Sequence, residues 1–219
     1  MERRRATVAL LFLLTWATPT VGFALQEESS VANSFPPDGG PARTIVLGGT
    51  DANRVTLEID QVAEQYVITD AAGISAGEGC ASVSSQTVRC TRHPSPHEPF
   101  EARLRDGDDV FEMRPESEEG LKLLGGKGAD KLLAGAGGDA VLGDDGADTV
   151  TGRAGSDRLF GDLGADRLIG GPGKDRLHAD DGDPDQAINC GPGKDVVILD
   201  SRQDPRPIRC ERVRRVHRA

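Results

Sequence analysis

Apolar residues along this chain fall first in an irregular pattern and then in a strictly periodic one. Between residues 44 and 113, short runs of β-branched and aromatic residues are bounded by Gly, Asp and Asn: Ile45 to Leu47, Val55 to Ile59, Tyr66 to Thr69 and Val110 to Met113. Each reads as a strand of a few residues. No helix of useful length is predicted beyond a weak turn near Pro115 to Gly120. From residue 125 a single aliphatic side chain returns every nine positions, at Leu132, Val141, Val150, Leu159, Leu168 and Leu177. A triplet with one apolar residue between two others is a minimal strand, with one side chain pointing in and its neighbours out. Such self-similarity outranks any local assignment, because one unit cannot bury its apolar residue alone and neighbours must stack.

The polar positions obey the same period. Two residues before each aliphatic stands an aspartate: Asp130, Asp139, Asp148, Asp157, Asp166 and Asp175. Two residues before each aspartate stands a glycine: Gly128, Gly137, Gly146, Gly155, Gly164 and Gly173. The six units read GGKGADKLL, AGAGGDAVL, GDDGADTVT, GRAGSDRLF, GDLGADRLI and GGPGKDRLH, from residue 125 to 178. Glycine-rich stretches let the backbone turn through positive φ and leave carbonyl oxygens free of side chains. Turn, strand, turn, strand makes one coil of about eighteen residues, so units two apart stack. Asp130, Asp148 and Asp166 then line one edge; Asp139, Asp157 and Asp175 line the other, with Asp175 at the end of its row. Like carboxylates stacked at a strand spacing of about 4.8 Å repel unless a cation lies between them. A shell of carboxylate and carbonyl oxygens suits calcium, whereas magnesium resists dehydration.

These units resemble the RTX (hemolysin-type) family of calcium-binding nonapeptide repeats, G-G-x-G-x-D-x-U-x. The resemblance implies a parallel β-roll, or β-solenoid, with Ca2+ sandwiched between turns by aspartates and loop carbonyls. The implied metal-binding positions are the six aspartates with Gly126, Gly128, Gly135, Gly137, Asp144, Gly146, Gly155, Asp162, Gly164, Gly171 and Gly173. Four regular intervals between stacked units imply about four sites. Departures stand out: Ala134 replaces a first glycine, and Asp144, Arg153 and Asp162 replace second glycines. Asp tolerates a left-handed backbone better than Arg does, so the site using the Arg153 carbonyl is the least expected. Weaker copies lie at Gly48 to Thr56, with Asn53 in the aspartate slot, at Asp106 to Phe111 and at Cys190 to Val197. The acidic run Asp180 to Asp185 is out of register and reads equally as a fifth, looser site or a solvated loop.

Composition narrows the class. The chain has 36 acidic against 26 basic residues, and only 4% aromatic residues. Its formal charge of -10 argues against a nucleic-acid role. A core this poor in large side chains leaves metal to supply much of the folding energy. Arg3-Arg4-Arg5, the apolar run Ala6 to Ala17 and the small-residue end Gly22-Phe23-Ala24 predict a secretory signal peptide over residues 1–24. That run is short for a membrane span. Residues 25–43 read as a flexible linker, 44–120 as an irregular β-rich N-terminal cap, 121–200 as the roll and 201–219 as a basic tail. A separate small β-sandwich is the other reading of the region before the roll. Four cysteines in a secreted chain should be oxidised, and Cys80 with Cys90 and Cys190 with Cys210 are the local pairs among three possible pairings.

Two motifs suggest catalysis and fail on context. Gly73-Ile74-Ser75-Ala76-Gly77 matches a hydrolase nucleophile elbow, yet Glu78-Gly79-Cys80 follows where a helix is needed. His93 to Glu98 lacks the second histidine and the helix of a zinc protease, and its prolines forbid that helix. The tail, with seven arginines from Arg202 to Arg218, offers a surface to anionic cell-envelope or matrix polymers. The expectation is a secreted, monomeric, non-catalytic calcium-binding repeat protein of all-β fold. The other reading is an adhesive or envelope structural module in which calcium only rigidifies the rod.

Overall fold

The computed structural model describes residues 30–32, 44–46, 54–60, 65–70, 74–76, 80–91, 100–113, 118–200 and 204–216. Every regular element among them is a β-strand. The signal-peptide segment, Asn53 and the His93 to Glu98 motif lie outside the described residues.

Alternate units form the strands Ala140–Asp145, Arg158–Leu163 and Arg176–Ala179 of the first sheet, which Leu121–Lys127 precedes. The other units form the short strands Lys131–Leu133, Thr149–Thr151 and Arg167–Ile169 of the second sheet. Each strand pairs in parallel with the strand one coil away, and the registers Leu123 with Val141, Val141 with Leu159 and Leu132 with Val150 are all eighteen residues apart. The parallel pairs build a β-solenoid of about six coils. Side-chain alternation sends the aliphatic of each triplet inward, where Leu132, Val141, Val150, Leu159, Leu168 and Leu177 are completely buried. One more coil follows the array after a two-residue insertion: Arg167 pairs with Ala187 and Arg176 with Val196, bringing Ile188 and Val197 into the same columns.

The array is continuous with the strands before it. Phe100–Asp106 pairs in parallel with Leu121–Lys127, and Val110–Met113 with Lys131–Leu133, adding one coil. Thr44–Val46 and Arg54–Asp60 pair in parallel with that coil. Beyond it the second sheet turns antiparallel through Arg54–Asp60, Gln65–Asp70, Thr87–Thr91 and Cys80–Ser82. Here the core is wider than in the roll. Leu57, Tyr66, Ile68, Val88, Phe111 and Met113 are buried together. The Tyr66 ring packs on Phe100 with centroids 4.8 Å apart, and its hydroxyl donates to Glu119 Oε2 at 2.9 Å. Ser30–Ala32, within the segment whose composition reads as a linker, forms a strand between Thr44–Val46 and Ile74–Ala76.

Both cysteine pairs are local. Cys80 and Cys90 are bonded across directly paired strand positions, and Cys190 is bonded to Cys210. The second bridge precedes Arg212–Arg215, a strand from the basic tail that adds in parallel to Val196–Leu199 and forms the terminal strand of the first sheet.

Candidate metal-binding edges

The turns between the two sheets form two edges along the solenoid, and each carries a column of buried aspartates. On the first edge Asp130, Asp148 and Asp166 follow one another; on the second, Asp139, Asp157 and Asp175 do. All six are at most 2% exposed. Their backbone and one carboxylate oxygen serve the same ladder. Asp148 Oδ1 accepts the Asp130 N–H at 2.8 Å, and Asp166 Oδ1 accepts that of Asp148 at 2.8 Å. On the other edge Asp157 Oδ1 accepts the Asp139 N–H at 2.9 Å and Asp175 Oδ1 that of Asp157 at 3.0 Å. Each aspartate therefore points back towards the preceding coil and satisfies a donor there that the strands leave unpaired.

The second oxygen is different. Oδ2 of Asp130, Asp148, Asp157, Asp166 and Asp175 is buried and accepts no hydrogen bond. An unpartnered carboxylate oxygen away from water is costly and calls for an ion. The pocket that holds it depends on the first glycine of each unit. A Cβ on Gly170 would stand 2.6 Å from Asp175 Oδ2, and one on Gly125, Gly143, Gly152 or Gly161 would likewise overlap its own unit's Oδ2. Opposing backbone oxygens reach the same places: a Cβ on Gly125 would meet Gly143 O at 2.6 Å, and one on Gly143 would meet Gly161 O at 2.6 Å. Carboxylate and carbonyl oxygens thus converge where a side chain would otherwise sit, which is the donor set of calcium. Among the described residues no three His, Cys, Asp or Glu side chains form a metal cluster. A cation held at one of these places would take one or two carboxylates, with carbonyls beside them.

Electrostatics agrees with this. Burial pushes the carboxyl pKa up to about 7 at Asp130, Asp166 and Asp175 and to about 6 at Asp139, Asp148 and Asp157. The amide donors oppose the rise, while neighbouring carboxylates of the same column, such as Asp148 beside Asp130, add to it.

The turns use the slots expected of them, with one exception. Gly126, Gly128, Gly146, Gly155, Gly164, Gly171 and Gly173 all have positive φ. Asp144, Arg153 and Asp162 occupy second-glycine slots at φ of 72°, 69° and 63°, so Arg153 does adopt the left-handed turn. Its side chain leaves the edge: Nη1 donates to Met113 O at 2.9 Å and Nη2 pairs with Glu112 Oε1 at 3.2 Å, two coils away. That course crosses the level of the exceptional turn, Ala134 to Gly138, which among the six has no left-handed residue. Ala134 places a methyl where the other units have the glycine cradle. Asp139 Oδ2 bonds instead to the Gly135 N–H at 3.0 Å. Gly135 and Gly137 therefore sit in a turn whose carboxylate is already satisfied by the protein.

The columns run beyond the six units. Asp109 donates its N–H to Asp130 Oδ1 at 2.8 Å, in the coil before the array. Asp175 does not end its row, because its N–H is taken by Asp195 Oδ1 at 2.8 Å. On the first edge Asp185 Oδ1 accepts from Asp166 at 3.0 Å. Asp195 could be found from its Gly193-x-Asp195-x-Val197 context; Asp185 follows an insertion that hides its register. Ser75 lies in strand Ile74–Ala76, and the next described residues, Cys80–Ser82, are again a strand where a nucleophile elbow calls for a helix.

Residues 122–150 and 151–184 match the RTX calcium-binding nonapeptide repeat family, four copies. No curated protein and no solved structure matches the chain.

Proposed function

We propose that this chain, whose residues 122–150 and 151–184 match the RTX calcium-binding nonapeptide repeat, is a secreted, non-catalytic protein whose roll folds around calcium held between successive turns. The observation that carries this reading is the repeated buried Oδ2 without a partner beside a glycine cradle, at Asp130, Asp148, Asp157, Asp166 and Asp175. Their carboxylates would hold the ions, with carbonyl oxygens of the glycine turns completing the shells, at about four intervals. The ions would neutralise the columns and let the narrow, aliphatic core stand. Two disulfides support an oxidising compartment. Circular dichroism of the chain without its first 24 residues tests the reading. Strand signal and melting temperature should rise between excess chelator and millimolar calcium, and equal concentrations of magnesium should do much less. Identical spectra and melting in chelator and calcium would sink it. Peptide mapping without reduction should recover Cys190 joined to Cys210; free thiols at both would remove the support for secretion.

A second reading rests on the C-terminal strand. Arg212, Val213, Arg214 and Arg215 are all exposed at the open end of the first sheet. They suit an anionic polymer of a cell envelope or matrix, with calcium only rigidifying the rod that presents them. Salt-sensitive co-sedimentation with such polymers, lost on replacing these arginines, separates the two readings.

A further inference from the structure

We infer that the first edge carries an additional divalent-cation site past the matched repeats, between the turns that end at Asp185 and at Asp204. The inference rests on the calcium reading above, but its two column aspartates, Asp185 and Asp204, lie beyond the matched residues 151–184. Neither Asp185 nor Asp204 stands in a G-x-D-x-U context: Asp183 and Ala187 flank the first, Arg202 and Arg206 the second. Tertiary placement nevertheless makes them the next two members of the column. Asp185 Oδ1 accepts the Asp166 N–H at 3.0 Å, and Asp204 Oδ1 accepts the Asp185 N–H at 3.3 Å. Both side chains are more than nine-tenths buried, at 8% and 9% exposure, and the Oδ2 of each is buried without a hydrogen-bond partner. They thus repeat the arrangement of Asp130 and Asp148, including the orphaned oxygen that calls for an ion.

The surroundings differ from those of the repeats in a way that favours a cation further. Asp200 is buried at 7% exposure, and its carboxylate lies against that of Asp204. Asp181 adds its charge to Asp166, Asp185 and Asp204 alike. This end thus sets two carboxylates, those of Asp200 and Asp204, against one another, and charge count is one of the quantities that tightens a calcium site. Two buried carboxylates side by side are stable only if a proton or a cation is shared between them. The turn itself is shaped for close approach: Gly182 takes a positive φ of 116°, and a Cβ there would look towards Asp200 Oδ2 at 3.9 Å. A cation here would bind the last coil to the array from the first edge, while the Cys190–Cys210 bridge does so from the second.

Asp204→Asn tests the site, because the amide keeps an oxygen acceptor for the Asp185 N–H and removes only the charge. Equilibrium dialysis of the full-length chain against calcium should give one ion fewer than wild type, with the remaining affinities within about twofold. Asp200→Asn leaves the hydrogen-bond ladder untouched and should weaken the same single ion by roughly tenfold or more, while the others stay put. Both variants should keep the wild-type circular dichroism in saturating calcium. Wild-type stoichiometry and affinities in both variants, alongside a wild-type chain that does bind calcium, would overturn the terminal site alone. A wild-type chain that binds no calcium would overturn the calcium reading and this site with it.

Discussion

Replacing Asp148 with alanine is expected to lower both the calcium stoichiometry and the rise in melting temperature that calcium brings, and to do so far more than the same replacement at Asp139. The two residues are matched in burial and in their first oxygen. Asp148 Oδ1 accepts the Asp130 N–H and Asp139 Oδ1 accepts the Leu121 N–H. Alanine leaves one buried amide unsatisfied at position 148, that of Asp130, and two at position 139, those of Leu121 and Gly135, each at a cost of about 1–3 kcal/mol. That cost should appear in chelator as well as in calcium. The difference lies in the second oxygen. Asp148 Oδ2 is unpartnered over the Gly143 cradle, whereas Asp139 Oδ2 is held by the Gly135 N–H and Ala134 fills the equivalent space. Asp148 also borders two intervals, with Asp130 and with Asp166. At calcium ten times above the dissociation constant each lost ion costs about 1.4 kcal/mol, so Asp148→Ala should lose about 3 kcal/mol more in calcium than in chelator. For a chain of this size that is a further fall of roughly 6–12 °C. Asp139→Ala should show little calcium-dependent excess. Equal calcium-dependent losses at the two positions would mean that the Ala134 turn binds an ion like the rest.

Acidification is expected to act in opposite directions on the calcium-loaded and the metal-free protein. The carboxyls of Asp130, Asp166, Asp175 and Asp185 are pushed up to about 7 and those of Asp148, Asp157 and Asp204 to about 6, chiefly by burial. An aspartate in the unfolded chain titrates near about 3.9. Between about pH 4 and pH 7 the metal-free fold therefore binds more protons than the unfolded chain. It gains stability as pH falls through that window and loses it as pH rises through 7. Calcium requires the same oxygens deprotonated, so its binding weakens over the same range. Between pH 8 and pH 5 the melting temperature in millimolar calcium should fall, with apparent affinity dropping at least about tenfold. After exhaustive removal of metal the melting temperature should instead rise. Parallel pH dependence under the two conditions would show that the columns do not couple protons to calcium.

The nonapeptide period already contains most of the roll. An aliphatic every nine residues can be buried only by stacking units two apart, and the glycines permit no other regular element, so the eighteen-residue coil, the two edges and six of the aspartates were legible in one dimension. The local disulfide pairs were legible too, since each joins cysteines within one part of the chain. What the linear pattern did not contain was the state of each oxygen. That depends on neighbours a full coil away: the first glycine of each unit matters because its missing Cβ leaves room for Oδ2 and for a carbonyl of the next coil. The same spatial logic sets the Ala134 turn apart, where one methyl and one amide close what the repeat otherwise leaves open. Asp185 and Asp204 entered the column through insertions that break the period but not the backbone ladder, because a parallel coil can absorb extra residues in its turn while its strands keep their register. The N-terminal strands carry no period, and only their pairing with Phe100–Asp106 and Val110–Met113 shows that they continue the two sheets of the roll. Spacing along the chain determined which residues repeat; contacts between coils decided which of them still lack a partner, because an oxygen's need for an ion is a property of everything packed around it.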